Sequence, residues 1–192
     1  MGFCYTFLMN KLIFKPLHLG DARLIFDNRE FIVSYFNGGV TKEEFKQWTF
    51  ADELKSTRQS IDDVKKKKYG ALTFLMFNAK NEFIGKCMLC SISVRNKNAN
   101  ISLSIKQKFW GQGYGTGAVL FLEKLAFSKM KLNRLGYDCY ANNLRSKKLA
   151  EKLGFKYEGR LREAKKIGNK YYDRLKHSML KFEYKNKKAN KI

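Results

Sequence analysis

The residue pattern points to an α+β fold in which about seven strands and several helices make one domain. Apolar and polar residues alternate in short runs, the period of half-buried strands; Asn100-Ile101-Ser102-Leu103-Ser104-Ile105 is the clearest. Elsewhere apolar residues recur at helical spacing, as Val119, Leu122, Leu125, Ala126 and Met130 do. The 192 residues contain no repeat and no linker long enough to divide them, and they suffice to bury a core.

Taken in order, residues 1–8 are a short apolar string read as an N-terminal extension, with Met9 a second possible start. The opening matches the M-G-x-x-x-S/T myristoylation pattern, a match short enough to arise by chance. Leu12 to Leu17 reads as the first strand, with Pro16 tolerated near its end. Asp21 to Phe36 reads as a helix with Ala22, Ile25 and Phe26 inward, broken by Gly38-Gly39. Thr41 with Glu44 three residues on forms a helix start. Ser60-Ile61-Asp62-Asp63 reads as another start, closed by Lys65 to Lys68 and Gly70. Leu72 to Asn78 and Glu82 to Val94 then make a hairpin around Ala79-Lys80-Asn81, and Asn100 to Ile105 follows. Further on come a strand at Arg134 to Tyr140 and a short helix at Ser146 to Leu153, ended by Gly154. Lys156 to Arg162 and Tyr171 to Phe182 form a last hairpin around Gly168-Asn169. The domain is therefore assigned to 9–184, and 185–192 to a basic, frayed tail.

Two runs carry the chemistry. The first is Phe109-Trp110-Gly111-Gln112-Gly113-Tyr114-Gly115-Thr116-Gly117, placed where a strand passes into a helix. Its glycines allow unusual backbone angles and a close approach by a ligand. A helix N-terminus there offers unpaired N–H groups and the positive end of the macrodipole, a site for a phosphate or pyrophosphate. The spacing is neither that of a dinucleotide fold nor that of a P-loop, and a tight turn alone would need the same small residues. The second run is Asn143-Leu144-Arg145-Ser146-Lys147-Lys148-Leu149-Ala150-Glu151-Lys152-Leu153-Gly154-Phe155.

Together the two runs resemble the GNAT superfamily of acetyl-CoA-dependent N-acetyltransferases, most closely its RimJ/RimL branch of ribosomal-protein N-terminal acetyltransferases. The resemblance extends from about Leu12 to Phe182 and is strongest across 100–163. It implies a mostly antiparallel central sheet, splayed in the middle, with the acyl-CoA in the V. The backbone around Leu103 to Ile105 would hold the pantetheine like an added strand. The N–H groups from Gly111 through Gln112, Gly113 and Gly115 to Thr116 would take the pyrophosphate. Asn143 would hold the coenzyme, a role compatible with capping a helix. Ser146 would protonate the leaving thiolate, against a plain first-turn hydroxyl as the alternative. Ala150 stands where many members carry a tyrosine acid, and Asn100 where related sequences often place a glutamate. Glu163 and Asp173 match acidic positions of the branch, to orient the amine or relay its proton; ion pairs with Arg160, Arg162 or Arg174 are the other reading.

The implied acceptor is a primary amine: a protein N-terminus first, then an amino-sugar nucleotide, a polyamine or an aminoglycoside. The rival is a non-catalytic module that binds acyl-CoA or RNA, favoured by Ala150 and Asn100. With 39 Lys and Arg against 17 Asp and Glu, the net charge of +22 suits a polycationic acceptor poorly. The charge reads either as the composition of an AT-rich genome or as weak attraction for RNA or a ribosome. Cys87 and Cys90 are three apart on a strand and face opposite sides, so no metal site is expected. The four cysteines read as reduced thiols of a cytoplasmic monomer or homodimer, and no apolar run could span a membrane.

Overall fold

The structure, a computed structural model, describes residues 7–9, 12–28, 46–65 and 71–189. Eight strands form one sheet: β1 (Phe7–Met9), β2 (Leu12–Pro16), β3 (Leu72–Asn78), β4 (Phe83–Ser93), β5 (Asn98–Ile105), β6 (Arg134–Tyr140), β7 (Lys156–Ile167) and β8 (Lys170–Leu180). Their order is β1-β2-β3-β4-β5-β6-β8-β7. The helices are α1 (Ala22–Asp27), α2 (Phe50–Lys65), α3 (Tyr114–Glu123), α4 (Leu144–Lys152) and α5 (Lys181–Ala189). Neighbouring strands are antiparallel except β5 and β6, which are joined by the crossover through α3. The α+β fold with its mixed, mostly antiparallel sheet is the expected one, with the three-residue β1 added at an edge.

Cross-strand register divides the side chains between two faces. On one face Phe14, Phe74, Leu89, Ile101, Leu135 and Met179 pack in one cluster with residues of α3 and α4. Phe121 of α3 stacks on Phe14 with ring centroids 4.0 Å apart and meets Phe74 edge-on. On the other face Ile25 of α1 packs with Leu75, Phe77 and Phe83. Further along that second face the register brings polar residues into line: Asn100 and Ser102 on β5, Gly136 and Asp138 on β6, Lys176 and Ser178 on β8.

Four boundaries differ from expectation. Residues 7–9, assigned to the extension, pair with β2. The helix start placed at Ser60 lies inside α2, where the Ser60 hydroxyl donates to the Ser56 carbonyl. The working cap is Thr49: its Oγ1 accepts from Asp52 N–H, and the Asp52 carboxylate accepts from Thr49 N–H. At the C-terminus, Lys181–Ala189 is helical, not frayed. Tyr184 is buried and stacks on Phe127, and Lys187 Nζ donates to both oxygens of buried Glu123 and to Leu153 O at 2.8–2.9 Å. Finally, α1 ends at Asn28, whose side chain donates to Leu24 O. The Gly38-Gly39 break, the Thr41 start and Lys66 to Gly70 lie outside the described residues.

Candidate active site

The glycine run turns from β5 through a 3-10 turn at Gln107–Phe109 into α3. Gly111 and Gly113 sit at φ +77° and +82°, angles closed to most side chains, and Gly113 is the residue that caps α3. A glycine cap has no side chain to offer, so the first N–H groups of α3 point outward unsatisfied by it. A Cβ built on Gly111 or Gly113 meets nothing within 4 Å, so the concavity is open space. One built on Gly115 meets Leu149 of α4 at 3.2 Å and Ile105 of β5 at 3.7 Å. That glycine lets the turn pack between strand and helix. The Gln112 side chain closes the turn onto the Lys108 carbonyl, donating from Nε2 at 2.9 Å. A helix N-terminus of this kind is the sort of place where backbone N–H groups can meet a phosphate.

Two contacts that the sequence does not announce fix the turn. Trp110 Nε1 donates to Ile105 O at 2.8 Å, and the Arg145 guanidinium lies 4.6 Å from the Trp110 ring. Trp110 therefore ties the end of β5 to the start of α4. Register turns the N–H and C=O of Ser104 toward Lys86 of β4, so Leu103 and Ile105 are the residues whose backbone faces the opening, with Ile105 O already engaged by Trp110.

Beside the turn the sheet opens. β5 and β6 pair only from Asn98↔Arg134 to Ile101↔Tyr137. β5 continues to Ile105 with β4 on one side, and β6 continues to Tyr140 with β8 on its far side. Ser102 to Ile105 thus has a free edge, as the splayed sheet requires.

At this opening α4 begins. Asn143 caps it, its Oδ1 accepting from Ser146 N–H at 3.1 Å. The cap role leaves the Asn143 amide NH₂ as the group it can present. Ser146 Oγ shares a 2.9 Å hydrogen bond with the hydroxyl of Tyr137, a buried residue of β6. Burial pushes the Tyr137 phenol up to about 12, with the Ser146 hydrogen bond pulling partly back. The phenol therefore stays protonated across the neutral range. Cys139, two residues along the same face, has its thiol raised by burial and lowered again by Ser146. Ala150 is fully buried in the same helix. The phenol nearest Ser146 comes instead from the strand, as Tyr137. Strand alternation placed Leu135, Tyr137 and Cys139 on one face, and a buried tyrosine needs a hydroxyl partner; nothing in the sequence names Ser146 as that partner.

Across the sheet, Asp138 faces away from Ser146. Its carboxylate is bonded by Lys176 Nζ, with Arg174 Nη2 at 3.5 Å. Asn100 Oδ1 lies so close over Gly136 that a side chain at 136 would collide with it. Glu163 is not brought together with Ser146. It sits at φ +49° in an irregular stretch of β7, its N–H donating to Asp173 Oδ1 at 2.7 Å. Asp173 is in turn paired with Arg160, and these three line a separate cavity. Hydrogen bonds from the Glu163 N–H and from Arg160 hold the Asp173 carboxyl below its usual value.

Among the described residues no group of three or more His, Cys, Asp or Glu is disposed to hold a metal ion, and no helix is long and apolar enough to cross a membrane.

A family model described as the acetyltransferase (GNAT) domain matches residues 11–156. The N-acetyltransferase p20 of Bacillus licheniformis, itself uncharacterized, is 25% identical over 181 residues, covering 93% of this chain and 98% of that protein. A spermidine N-acetyltransferase from Vibrio cholerae, solved with CoA and spermine, superposes with a TM-score of 0.77 at 22% identity, over 92% of this chain and 99% of its own. RimL, a ribosomal L7/L12 α-N-protein acetyltransferase solved with coenzyme A, gives 0.77 at 18% identity, over 89% and 94%.

Proposed function

The chain belongs to the GNAT acetyltransferase family, and from that premise we propose that it moves the acetyl group of acetyl-CoA to the α-amine of a protein N-terminus. It is an N-acetyltransferase. The observation that carries the reading is the opening between β5 and β6, which has a phosphate cradle at one end and the Tyr137–Ser146 hydroxyl pair on its wall.

Bound acetyl-CoA supplies the acyl group as a thioester. The backbone of Gly111 to Thr116 would hold the pyrophosphate, and the free edge at Leu103 and Ile105 would orient the pantetheine arm. The Asn143 amide braces the coenzyme while its carbonyl keeps Ser146 in the first turn of α4. Ser146 Oγ gives its proton to the leaving sulfur and is reprotonated by water carrying one of the protons shed by the amine, while the Tyr137 phenol, protonated throughout the neutral range, holds the Ser146 hydroxyl in place. Positioning provides most of the rate in such a site. Glu163 lines a separate cavity with Asp173 and Arg160, so water takes the amine proton directly.

Release of free thiol from acetyl-CoA, measured with a panel of N-terminal peptides and small amines, tests this. Turnover with α-amine peptides is expected. Tight CoA binding with no thiol release for any acceptor would turn the chain into a binding module.

A further inference from the structure

The polar half of the second sheet face encloses a cavity of about 500 Å³ lined by Asn100, Arg134, Asp138, Glu158, Arg160 and Lys176, among others. Arg134 pairs there with Glu158, and Arg160 with Asp173 just outside, while Lys176 and the neighbouring Arg174 share Asp138. Arg174 Nε is buried without a hydrogen-bond partner. Asp138 is the first β6 residue beyond the last β5–β6 pair, and it faces the cavity while Tyr137 faces Ser146. A molecule in the cavity therefore reaches the opening from the side opposite the proton donor.

Resting on the transferase reading above, we propose that this cavity is the acceptor site and that it takes an N-terminal peptide with a carboxylate in its opening residues, in preference to a polyamine. Asp138 and Glu158 already serve as counter-ions, to Lys176 and Arg174 and to Arg134, so neither is a vacant dock for an ammonium. Asp138 is shared by two cations, Lys176 and Arg174, so that wall of the cavity keeps one positive charge without a carboxylate of its own. A carboxylate on the substrate supplies that second counter-ion. A polyamine adds cations to a site and a molecule that already carry an excess.

The same surplus serves the chemistry. Nearby cations lower the pKa of an ammonium. An α-amine starts at about 7.7–8.0 and an alkyl amine near about 10.4, so a modest field delivers the first as a neutral nucleophile and leaves the second charged. In the transfer the amine nitrogen forms the C–N bond as the C–S pair leaves on sulfur. The ammonium sheds two protons in all, the thiolate takes up one, and one reaches solvent through the open cavity.

Calorimetric titration of the CoA-loaded protein decides the matter, using a tetrapeptide with acidic residues after an N-terminal serine, its lysine counterpart, and spermidine. The acidic peptide should bind at least about tenfold more tightly than either, the effect of about one well-placed charge pair. Arg174→Gln and, separately, Lys176→Gln should each erode that preference, and Arg174→Lys should keep only part of it. Equal or tighter binding of spermidine or of the lysine peptide overturns the inference, as does no binding of the acidic one. Thiol release in the same mixtures is read independently. The expected affinity order without any release supports the acceptor class and overturns the transferase reading; release with spermidine alone does the reverse.

Discussion

Removing the Ser146 hydroxyl leaves the Tyr137 phenol, 2.9 Å away, buried without its partner. Ser146→Ala should lower kcat by about one to two orders of magnitude, the lower range for a general acid, with CoA affinity held. Tyr137→Phe should lower kcat less and leave KM for acetyl-CoA unchanged, which steady-state kinetics will separate. An unchanged kcat in Ser146→Ala would reduce the hydroxyl to a helix-turn ornament. A different residue sets the acid limb of stability. Hydrogen bonds from Arg134 and then Ser178 hold the Glu158 carboxyl down to about 2, against 4.5 unperturbed. Its folded value lies below its unfolded one, so its contribution is whole above about pH 4.5 and disappears as pH falls toward 2. Thermal melts over that window should fall more steeply for the native chain than for Glu158→Gln. At this scale Asn143, Ser146 and the glycines could be read from the chain because their neighbours in sequence are their neighbours in space. Tyr137 and Asp138 could not: alternation says that adjacent strand residues take opposite faces, and says nothing of the helix or strand each face meets.

The C-terminal helix shows why element boundaries were harder. Its lysines describe a solvated tail equally well, and only Phe182 and Tyr184 hint at a period. What makes α5 part of the fold is distant in sequence: Phe127 under Tyr184, and Glu123 and Leu153 O gathered by Lys187. Lys187→Met should cost about 3–5 kcal/mol in denaturant unfolding, because it takes from a buried carboxylate the ammonium that donates to both its oxygens, and pairing it with Glu123→Gln should recover much of that. If the single variant loses less than about 1 kcal/mol, the helix is not held as described. The start of α2 was missed for a smaller reason. Thr49 and Asp52 have cap spacing, as have Ser60 and Asp63, and the acids after Ser60 look the stronger signal. Thr49→Ala should cost about 1 kcal/mol and Ser60→Ala little.

The whole molecule carries +22, an excess its 17 acids cannot offset, although some cations are held in pairs: Lys156 on Glu183, Lys176 on Asp138, Lys187 on Glu123. These pairs lie on separate elements, which sequence alone could not arrange. With the remaining cations read as solvated surface, binding to RNA or ribosomes should be weak, with a log–log salt slope well short of the sum that about −0.9 per neutralised phosphate would give. A steep slope would establish a polyanion partner. Self-repulsion of the net charge should also be relieved by salt, so the melting temperature should rise as KCl goes from about 10 to 150 mM. The order of elements was readable at this scale, because two hairpins and one strand–helix–strand crossover leave few ways to assemble a sheet. The opening in the middle of that sheet has a mechanical side. Only the pairs from Asn98↔Arg134 to Ile101↔Tyr137 join the two halves directly, whereas β6 and β8 are paired along the whole of Arg134 to Tyr140. The cleft is a fault line, and a molecule bonded along Ser102 to Ile105 acts as a splint across it. Amide exchange at Leu103 and Ile105, whose N–H groups face the opening, should be fast in the free protein and slow in the CoA complex, by a factor that tracks the affinity. Nothing comparable should occur along β2 and β3, whose pairing no ligand has to complete.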